Sequence, residues 1–347
     1  MKTEINAFWN WFVTHKAAYE NFGKQYEGDL EKVNQLLDEL ITELQKVAPG
    51  LFVEIGGKDG EWELILTPQG IRQHFAAAYE VAALAPKIDN WTIFATKPAY
   101  GLDFGFKMGD VEINPETISF IPLNSEDEPD DIAIRLFHKD YDEKDEPRRK
   151  AVVMGVYQAL DTLLGEVSAS FDLDYVEFAT TPDEGMKPLP LAELAGYIKW
   201  KKKERNVSGI RFPEESVTLL RGERDEMPIM VLVNRALKYY EYKNDFPYLL
   251  LVTITFNKVT EQGFPKENMD EIYAIEDAIN KMVCGQEKGH FISTETFGGS
   301  RKMYYAGVSK EVLHNQVQEL KNNIKSSYSI NYMISYDPFW VEATGYM

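Results

Sequence analysis

The sequence predicts an α+β fold in two domains, of which the second follows the ferredoxin-like order βαββαβ. A chain of 347 residues is long enough to form two hydrophobic cores, and 44% of its residues are hydrophobic. Strand and helix patterns follow one another as ββαβ twice in the N-terminal half. In the last third, the patterns alternate as strand, helix, strand, strand, helix and strand.

Two amphipathic helices are predicted at the start of the first domain. Apolar residues recur at helical spacing in "INAFWNWFV" and, over a longer stretch, in "LEKVNQLLDELITELQKV". Pro49-Gly50 then predicts the end of the second helix.

Two copies of ββαβ fill the rest of the first domain, which is predicted to span 1–206. The first copy consists of the strands "LFVEIG" and "EWELILT", a helix from about Ile71 to Leu84, and the strand "WTIFAT". The second has the strands "TISFIPL" and "IAIRLFH", the helix "RRKAVVMGVYQALDTLLGE" and the strand "SFDLDYVEFA". A polar, Pro-containing stretch and a short helix then lead to the domain boundary.

The second domain is predicted to span 213–347. The stretch "SVTLLRGERDEMPIMVLVN" predicts an added hairpin. Four strands follow in "FPYLLLVTITF", "HFISTETF", "RKMYYAGV" and "SYSINYMIS", with helices in "NMDEIYAIEDAINKMV" and "SKEVLHNQVQELKNNI". This order predicts an antiparallel sheet with both helices on one side.

Gly298-Gly299 raises the question of a phosphate-binding loop. Such loops place glycines between a strand and the N-terminus of a helix, where free N–H groups face the anion. Here the glycines lie between two predicted strands, so the sequence predicts a tight hairpin turn. Arg301 and Lys302 then point to opposite faces of the next strand.

The charge and the cysteine count limit the classes of function. The net charge of −19 repels nucleic acid and anionic lipid, so neither is predicted as a partner. The acidity gives solubility, and it would also favour a protein partner with a basic surface. The single cysteine, Cys284, in a chain without a signal peptide or a long apolar stretch, predicts a soluble, cytoplasmic protein.

No catalytic or metal-binding motif is found in the sequence. The five histidines are scattered, and neither a nucleophile elbow, a Walker loop nor a zinc-binding His pair occurs. We therefore predict no metal and no cofactor, and we prefer a non-catalytic protein to an enzyme.

Glu276 is the first candidate binding residue. A helical wheel places it on the stripe that faces the sheet, where a carboxylate needs a partner or a raised pKa. One hypothesis pairs it structurally with Arg301, the second candidate, or with a tyrosine hydroxyl. The other makes it a general acid or base in a cleft. On the structural hypothesis, Glu276→Gln lowers stability without changing the binding of a partner.

Asp337 and Trp340 complete the set of candidate binding residues. Asp337-Pro338 predicts a turn after the last strand. Phe339 and Trp340 then either cap the core or form an exposed aromatic anchor for a partner protein.

Three short motifs, "YAIEDAI", "SRKMYYAG" and "YDPFW", resemble a bacterial domain-of-unknown-function family over about Pro213 to Met347. The region before it resembles the uncharacterised N-terminal partner domain of that family. The family is similar in fold to the protein regulator of ribonuclease E activity type B, a small acidic inhibitor that binds its target protein. No catalytic residues are established for the family, so the resemblance implies none here.

Two functions are compatible with the sequence. The first is a non-catalytic protein-binding or regulatory module that acts through its acidic, aromatic surface. The alternative is an enzyme of the hydrolase class with a site in the cleft between the domains. The oligomeric state, the partner and the biological process are not predicted by the sequence.

Overall fold

The computed structural model describes residues 2–20, 29–58, 60–205, 208–256, 258–261, 264–266, 269–323 and 328–347. The chain divides into two compact units, Met1–Glu204 and Arg205–Met347. Both contain helices and sheets, so the predicted α+β class is confirmed. The predicted end of the first domain, Asn206, lies outside the described residues. None of the described helices is long and apolar enough to cross a membrane.

The first copy of ββαβ packs against the two N-terminal helices. Its elements, preceded by those helices, are α1 (Lys2–His15), α2 (Leu30–Gln45), β1 (Phe52–Lys58), β2 (Glu61–Thr67), α3 (Phe75–Ala83) and β3 (Trp91–Phe94). Strand β2 is central, antiparallel to β1 and parallel to β3. Apolar faces of α1, α2, β1 and β2 meet in one core that includes Trp9, Phe12, Leu40, Leu44 and Leu64.

The second copy repeats this topology. Its elements are β6 (Ile118–Leu123), β7 (Ala133–His138), α4 (Glu146–Leu164), α5 (Glu166–Phe171) and β8 (Tyr175–Ala179), and α6 (Leu194–Glu204) ends the unit. Strand β7 is central, antiparallel to β6 and parallel to β8, so the predicted repeat of ββαβ is confirmed. Three short strands that the sequence patterns did not predict are β4 (Phe106–Met108), β5 (Val111–Ile113) and β9 (Leu189–Pro190).

The C-terminal unit is built on one six-stranded antiparallel sheet. Its elements are β10 (Val217–Arg224), β11 (Met227–Asn234), β12 (Tyr248–Thr255), α7 (Asp270–Val283), β13 (Gly289–Phe297), β14 (Ser300–Gly307), α8 (Lys310–Asn323) and β15 (Ser329–Tyr336). The strand order is β10-β11-β13-β14-β12-β15. The last six elements follow the predicted βαββαβ order, and the predicted added hairpin, β10–β11, extends the sheet beyond β13.

The two faces of this sheet are covered by different parts of the chain. Helices α7 and α8 pack on one face through apolar residues that include Ile272, Ile279, Leu313, Val252 and Tyr305. On the other face, the connection between β11 and β12 and the tail after β15 form a second core. Both helices thus lie on one side of the sheet, as the sequence predicts.

Gly298 and Gly299 form the two-residue turn between β13 and β14, with φ angles of 56° and 82°. The next described helix begins at Lys310, so the turn reading is confirmed and the glycines do not form a phosphate loop. The β10–β11 hairpin has the same kind of turn without glycine, because Asp225 and Glu226 take φ angles of 51° and 62°.

These two hairpins allow a matched exchange. We expect Glu226→Gly to stabilise the protein and Gly298→Ala to destabilise it, each by about 1 kcal/mol, because only glycine takes positive φ without a steric penalty. A Cβ atom at Gly298 would meet no heavy atom within 4 Å, so the backbone angle alone is tested. Urea denaturation measures both changes. Equal stability of both variants and the wild type would show that the turns are not strained.

Candidate functional site

A buried polar cluster lies between α7 and the sheet. Glu276 projects from α7, Thr294 and Thr296 from β13, and Arg301 from β14, and all four are buried. Thr296 pairs with Arg301 across the two strands, and directly opposite residues point to the same face. Local alternation therefore brings the threonines and the arginine beneath the helix.

Glu276 and Arg301 form an ion pair within this cluster. The Arg301 Nη2 donates to Glu276 Oε2 at 2.8 Å and to Oε1 at 3.1 Å, and its Nη1 donates to Thr296 Oγ1 at 2.8 Å. Thr294 Oγ1 donates to Glu276 Oε1 at 3.1 Å. Of the partners considered from the sequence, Arg301 and not a tyrosine hydroxyl holds Glu276. This geometry supports the structural hypothesis for the carboxylate.

Three atoms of the same region have no hydrogen-bond partner in the described part of the chain. They are Arg301 Nε, Tyr305 Oη and Asn280 Oδ1, and all are buried. Burial, together with the charge of Glu276, raises the pKa of Tyr305 well above its usual value. An unsatisfied buried polar atom costs about 1–3 kcal/mol. The cluster is therefore not optimised for stability alone.

Asp337 and Trp340 lie on the opposite face of the sheet. Asp337 Oδ1 accepts the N–H of Phe339 and its Oδ2 accepts that of Glu342, both at 3.1 Å, which fixes the turn after β15. Trp340 is 0% exposed, and its Nε1 donates to the carbonyl of Phe246 at 2.9 Å. Phe339 is buried as well, so the pair caps the core and is not an exposed anchor. The four candidate residues do not form one site.

His290 lies in an aromatic cluster beside Trp340 that the sequence did not reveal. Its Nε2 is 2.9 Å from the Tyr240 hydroxyl, which itself donates to the carbonyl of Arg211 at 2.6 Å. His290 Nε2 therefore carries the proton and donates it to the tyrosine oxygen. Burial, aided by the charge of Arg211, lowers the pKa of His290 to about 4. The imidazole is neutral at neutral pH.

The N-terminal unit holds a second cluster of charged side chains, around the partly buried Lys97. Its Nζ is 3.0 Å from Glu54 Oε1 and 3.3 Å from Asp161 Oδ2. The fully buried Glu166 accepts the N–H of Lys97 at 3.2 Å and the Thr67 hydroxyl at 2.7 Å. Burial raises the pKa of Asp161 to about 6, although Lys97 acts in the opposite direction. The cluster links the two ββαβ copies, since Glu54 and Thr67 belong to the first and the other carboxylates to the second.

This lysine is not suited to act as a nucleophile. Burial would lower the pKa of Lys97, but the carboxylates of Glu54 and Asp161 outweigh it and the pKa is raised. A nucleophilic lysine needs a lowered pKa. The arrangement instead fits an ion-pair network that joins two sheets.

Cys284 is the first residue after α7. Burial, together with the charge of Glu215, raises the pKa of its thiol to about 12. Among the described residues, no group of three or more His, Cys, Asp and Glu side chains is arranged to hold a metal ion.

An exposed apolar surface lies beside α7. We call it the open face and define it by Val217 and Leu219 of β10, Met230 and Leu232 of β11, and Tyr273 of α7. Val217, Leu219 and Tyr273 are 47%, 46% and 48% exposed. Leu219 pairs with Leu232, and Leu232 pairs with Thr294, so the strand residues share the face on which α7 lies. Strand order, which the sequence does not reveal, creates this surface.

Comparison with known proteins supports one part of the sequence resemblance. Residues 218–342 match the model of a family of unknown function, DUF695. Neither the curated proteins nor the solved structures contain a match to this chain. A domain of unknown function is thus confirmed in the C-terminal region. The likeness to the ribonuclease regulator and the identity of the N-terminal domain stay predictions.

The ion pair beneath α7 predicts a large effect of Glu276→Gln. We expect the free energy of unfolding to fall by about 3 kcal/mol, because the substitution leaves the buried Arg301 without a countercharge. Hydrogen exchange of the β13 and β14 amides measures it locally. Asp277→Asn, on the exposed side of the same helix, is the matched control and should change stability by less than about 0.5 kcal/mol. Equal protection in both variants would contradict a structural role.

The buried histidine predicts a pH dependence of stability. Because the folded pKa of His290 is about 4 and its usual value is 6.5, only the unfolded state binds a proton between these values. The contribution of His290 to the free energy of unfolding is fully present above pH 6.5, and it falls by up to about 3 kcal/mol as the pH falls toward 4. His290→Phe should remove this part of the slope in urea denaturation. A ring that titrates near 6.5 by NMR would contradict the prediction.

Proposed function

We propose that this chain is a non-catalytic protein-binding module whose open face receives an amphipathic helix from a partner with a basic surface. The proposal rests on the exposed apolar side chains of β10 and β11 that lie beside α7. Every residue of β10 except Leu220 is exposed. An apolar sheet face next to a packed helix is a position that another helix can fill.

Helix α7 forms one wall of the open face. Glu276 bonds Thr294 of β13, whereas the carbonyl of Met282 accepts a hydrogen bond from Gln316 of α8. One flank of α7 therefore faces β13, and the other flank faces α8. Helical geometry places Tyr273 and Asn280 on the flank with Glu276, toward β11 and away from α8.

The charges around the open face support a basic partner. Asp277 is exposed one turn beyond Tyr273 on α7. Glu215 precedes β10, and its charge acts on the thiol of Cys284 at the end of α7. Arg221, on the same face as Leu219, lies toward the other end of β10. We therefore expect the partner helix to be basic near Glu215 and Asp277, which gives the complex a direction.

The ion-pair clusters around Arg301 and Lys97 do not favour the hydrolase alternative over binding. The buried carboxylate of Glu276 and the partly buried carboxylate of Asp161 face cations within hydrogen-bond distance. Hydrolysis needs polar groups that converge on an accessible substrate.

A labelled helical peptide tests the proposal. Strand β10 has eight residues, and a helix of about 18 residues spans its length of roughly 26 Å. We expect a Leu/Lys amphipathic peptide of that length to bind the full chain in fluorescence anisotropy. Leu219→Asp should weaken binding at least about tenfold, because it puts a charge into the apolar contact.

Two controls separate this binding from general electrostatic attraction. Leu219→Asp makes the chain more acidic, so unspecific attraction of a basic peptide would increase and not fall. Met154→Asp makes the same change in charge at a residue of α4 that is 62% exposed, and binding should be retained. Equal binding by both variants, or equal binding of a Leu/Glu peptide, would refute the proposal. Dimerisation that Leu219→Asp abolishes would assign the open face to a second copy instead.

A further inference from the structure

We infer that a cavity beside α8 binds a small organic monoanion with an apolar body. The inference goes beyond protein binding, because it concerns a small ligand and residues outside the open face. The cavity has a volume of about 300 Å³. Four segments line it: Arg211 and Phe212 ahead of β10, Phe246 ahead of β12, the end of α7 with Glu287 and Lys288 after it, and the junction of β14 with α8. This volume is at the lower end of small-molecule sites.

The walls of the cavity are apolar. Phe212, Phe246, Val283 and Leu313 lie among the lining residues. Val308 and Val312, also in the lining, are 50% and 47% exposed. An apolar ligand body would remove this surface from water, which gives a favourable free energy of binding.

Cationic and hydroxyl groups converge on the same cavity. Lys288 is exposed and forms no ion pair within the part of the chain that the structure describes. Arg211 Nη1 pairs with Asp245 at 2.6 Å, and its guanidinium lies 5.5 Å from the ring centre of Phe246. That pairing fixes Arg211 in place and leaves other N–H donors of the guanidinium for a ligand.

The remaining polar residues define the charge of the ligand. Ser309 Oγ accepts the N–H of Val312 at 3.4 Å, so its own hydrogen is available to an anion. Glu287 is exposed in the lining and disfavours a second negative charge. The set fits a carboxylate or sulfonate with one charge better than a phosphate monoester with two.

The cavity is coupled to His290 through shared aromatic residues. The His290 ring is 5.0 Å from the ring of Phe212 and 4.6 Å from that of Phe246, measured between centroids. Both phenylalanines also line the cavity. A ligand that contacts these rings changes the surroundings of His290, and the NMR signal of this histidine reports the site of binding.

Binding of anilinonaphthalene sulfonate (ANS), an organic monoanion, tests the inference on the full chain. We expect saturable fluorescence enhancement, competition by octanoate and not by octylamine, and a shift of the His290 ring signals. Lys288→Glu should weaken ANS binding roughly tenfold, because it reverses the charge at the rim. Glu287→Gln should strengthen it, since a repulsive charge is removed. Lys281→Glu, exposed on α7 outside the cavity lining, is the matched control and should bind like the wild type.

Each other outcome would overturn the inference. Equal competition by octylamine, or weaker binding to Glu287→Gln, would assign a cationic or zwitterionic ligand. An equal loss of ANS affinity in Lys288→Glu and Lys281→Glu would show that the overall charge of the chain, and not the cavity, causes the effect. ANS binding without a shift of the His290 signals would place the dye elsewhere, and the absence of binding would leave the cavity without this role.

Discussion

The C-terminal unit depends on a mismatch in width between its two layers. Neighbouring strands lie about 4.8 Å apart, and packed helices lie about 8–10 Å apart, so two helices cover about four strands. The sheet has six. Helices α7 and α8 are the two connecting helices of the βαββαβ motif. The β10–β11 hairpin makes the sheet wider, and the motif contains no further helix that could cover these two strands. The open face is a consequence of adding a hairpin to a compact motif.

Ion pairs between secondary-structure elements follow one principle in both units. Arg301 lies between α7 and the sheet, and Lys97 lies among carboxylates of both ββαβ copies. Removing a charged side chain from water is costly unless partners surround it, so each cation fixes the elements that supply its partners. The two networks differ in how complete they are. Around Arg301, three buried polar atoms have no hydrogen-bond partner among the described residues.

Periodicity predicted the features that depend on local geometry. Alternation along β14 separated Arg301 from Lys302, and the helical wheel turned Glu276 toward the sheet, so their pairing could be anticipated. The glycine pair between two strand patterns predicted its turn.

Features that depend on strand order or distant partners could not be predicted. Lys97 and Asp161 are 64 residues apart in sequence, and Thr67 and Glu166 are 99 apart. The open face depends on β11 pairing with β13, which no local pattern encodes. The strands β4, β5 and β9 are too short for a periodic signal.

The environment of Cys284 has a practical consequence. Alkylating reagents attack the thiolate, and a pKa of about 12 leaves only a trace of thiolate at neutral pH. The Cys284 thiol therefore reacts only very slowly with maleimides, and it is the only cysteine thiol in the chain. Cysteines introduced at one exposed position in each unit can accept spin labels or dyes selectively, so distances between the two units can be measured without first removing a native residue.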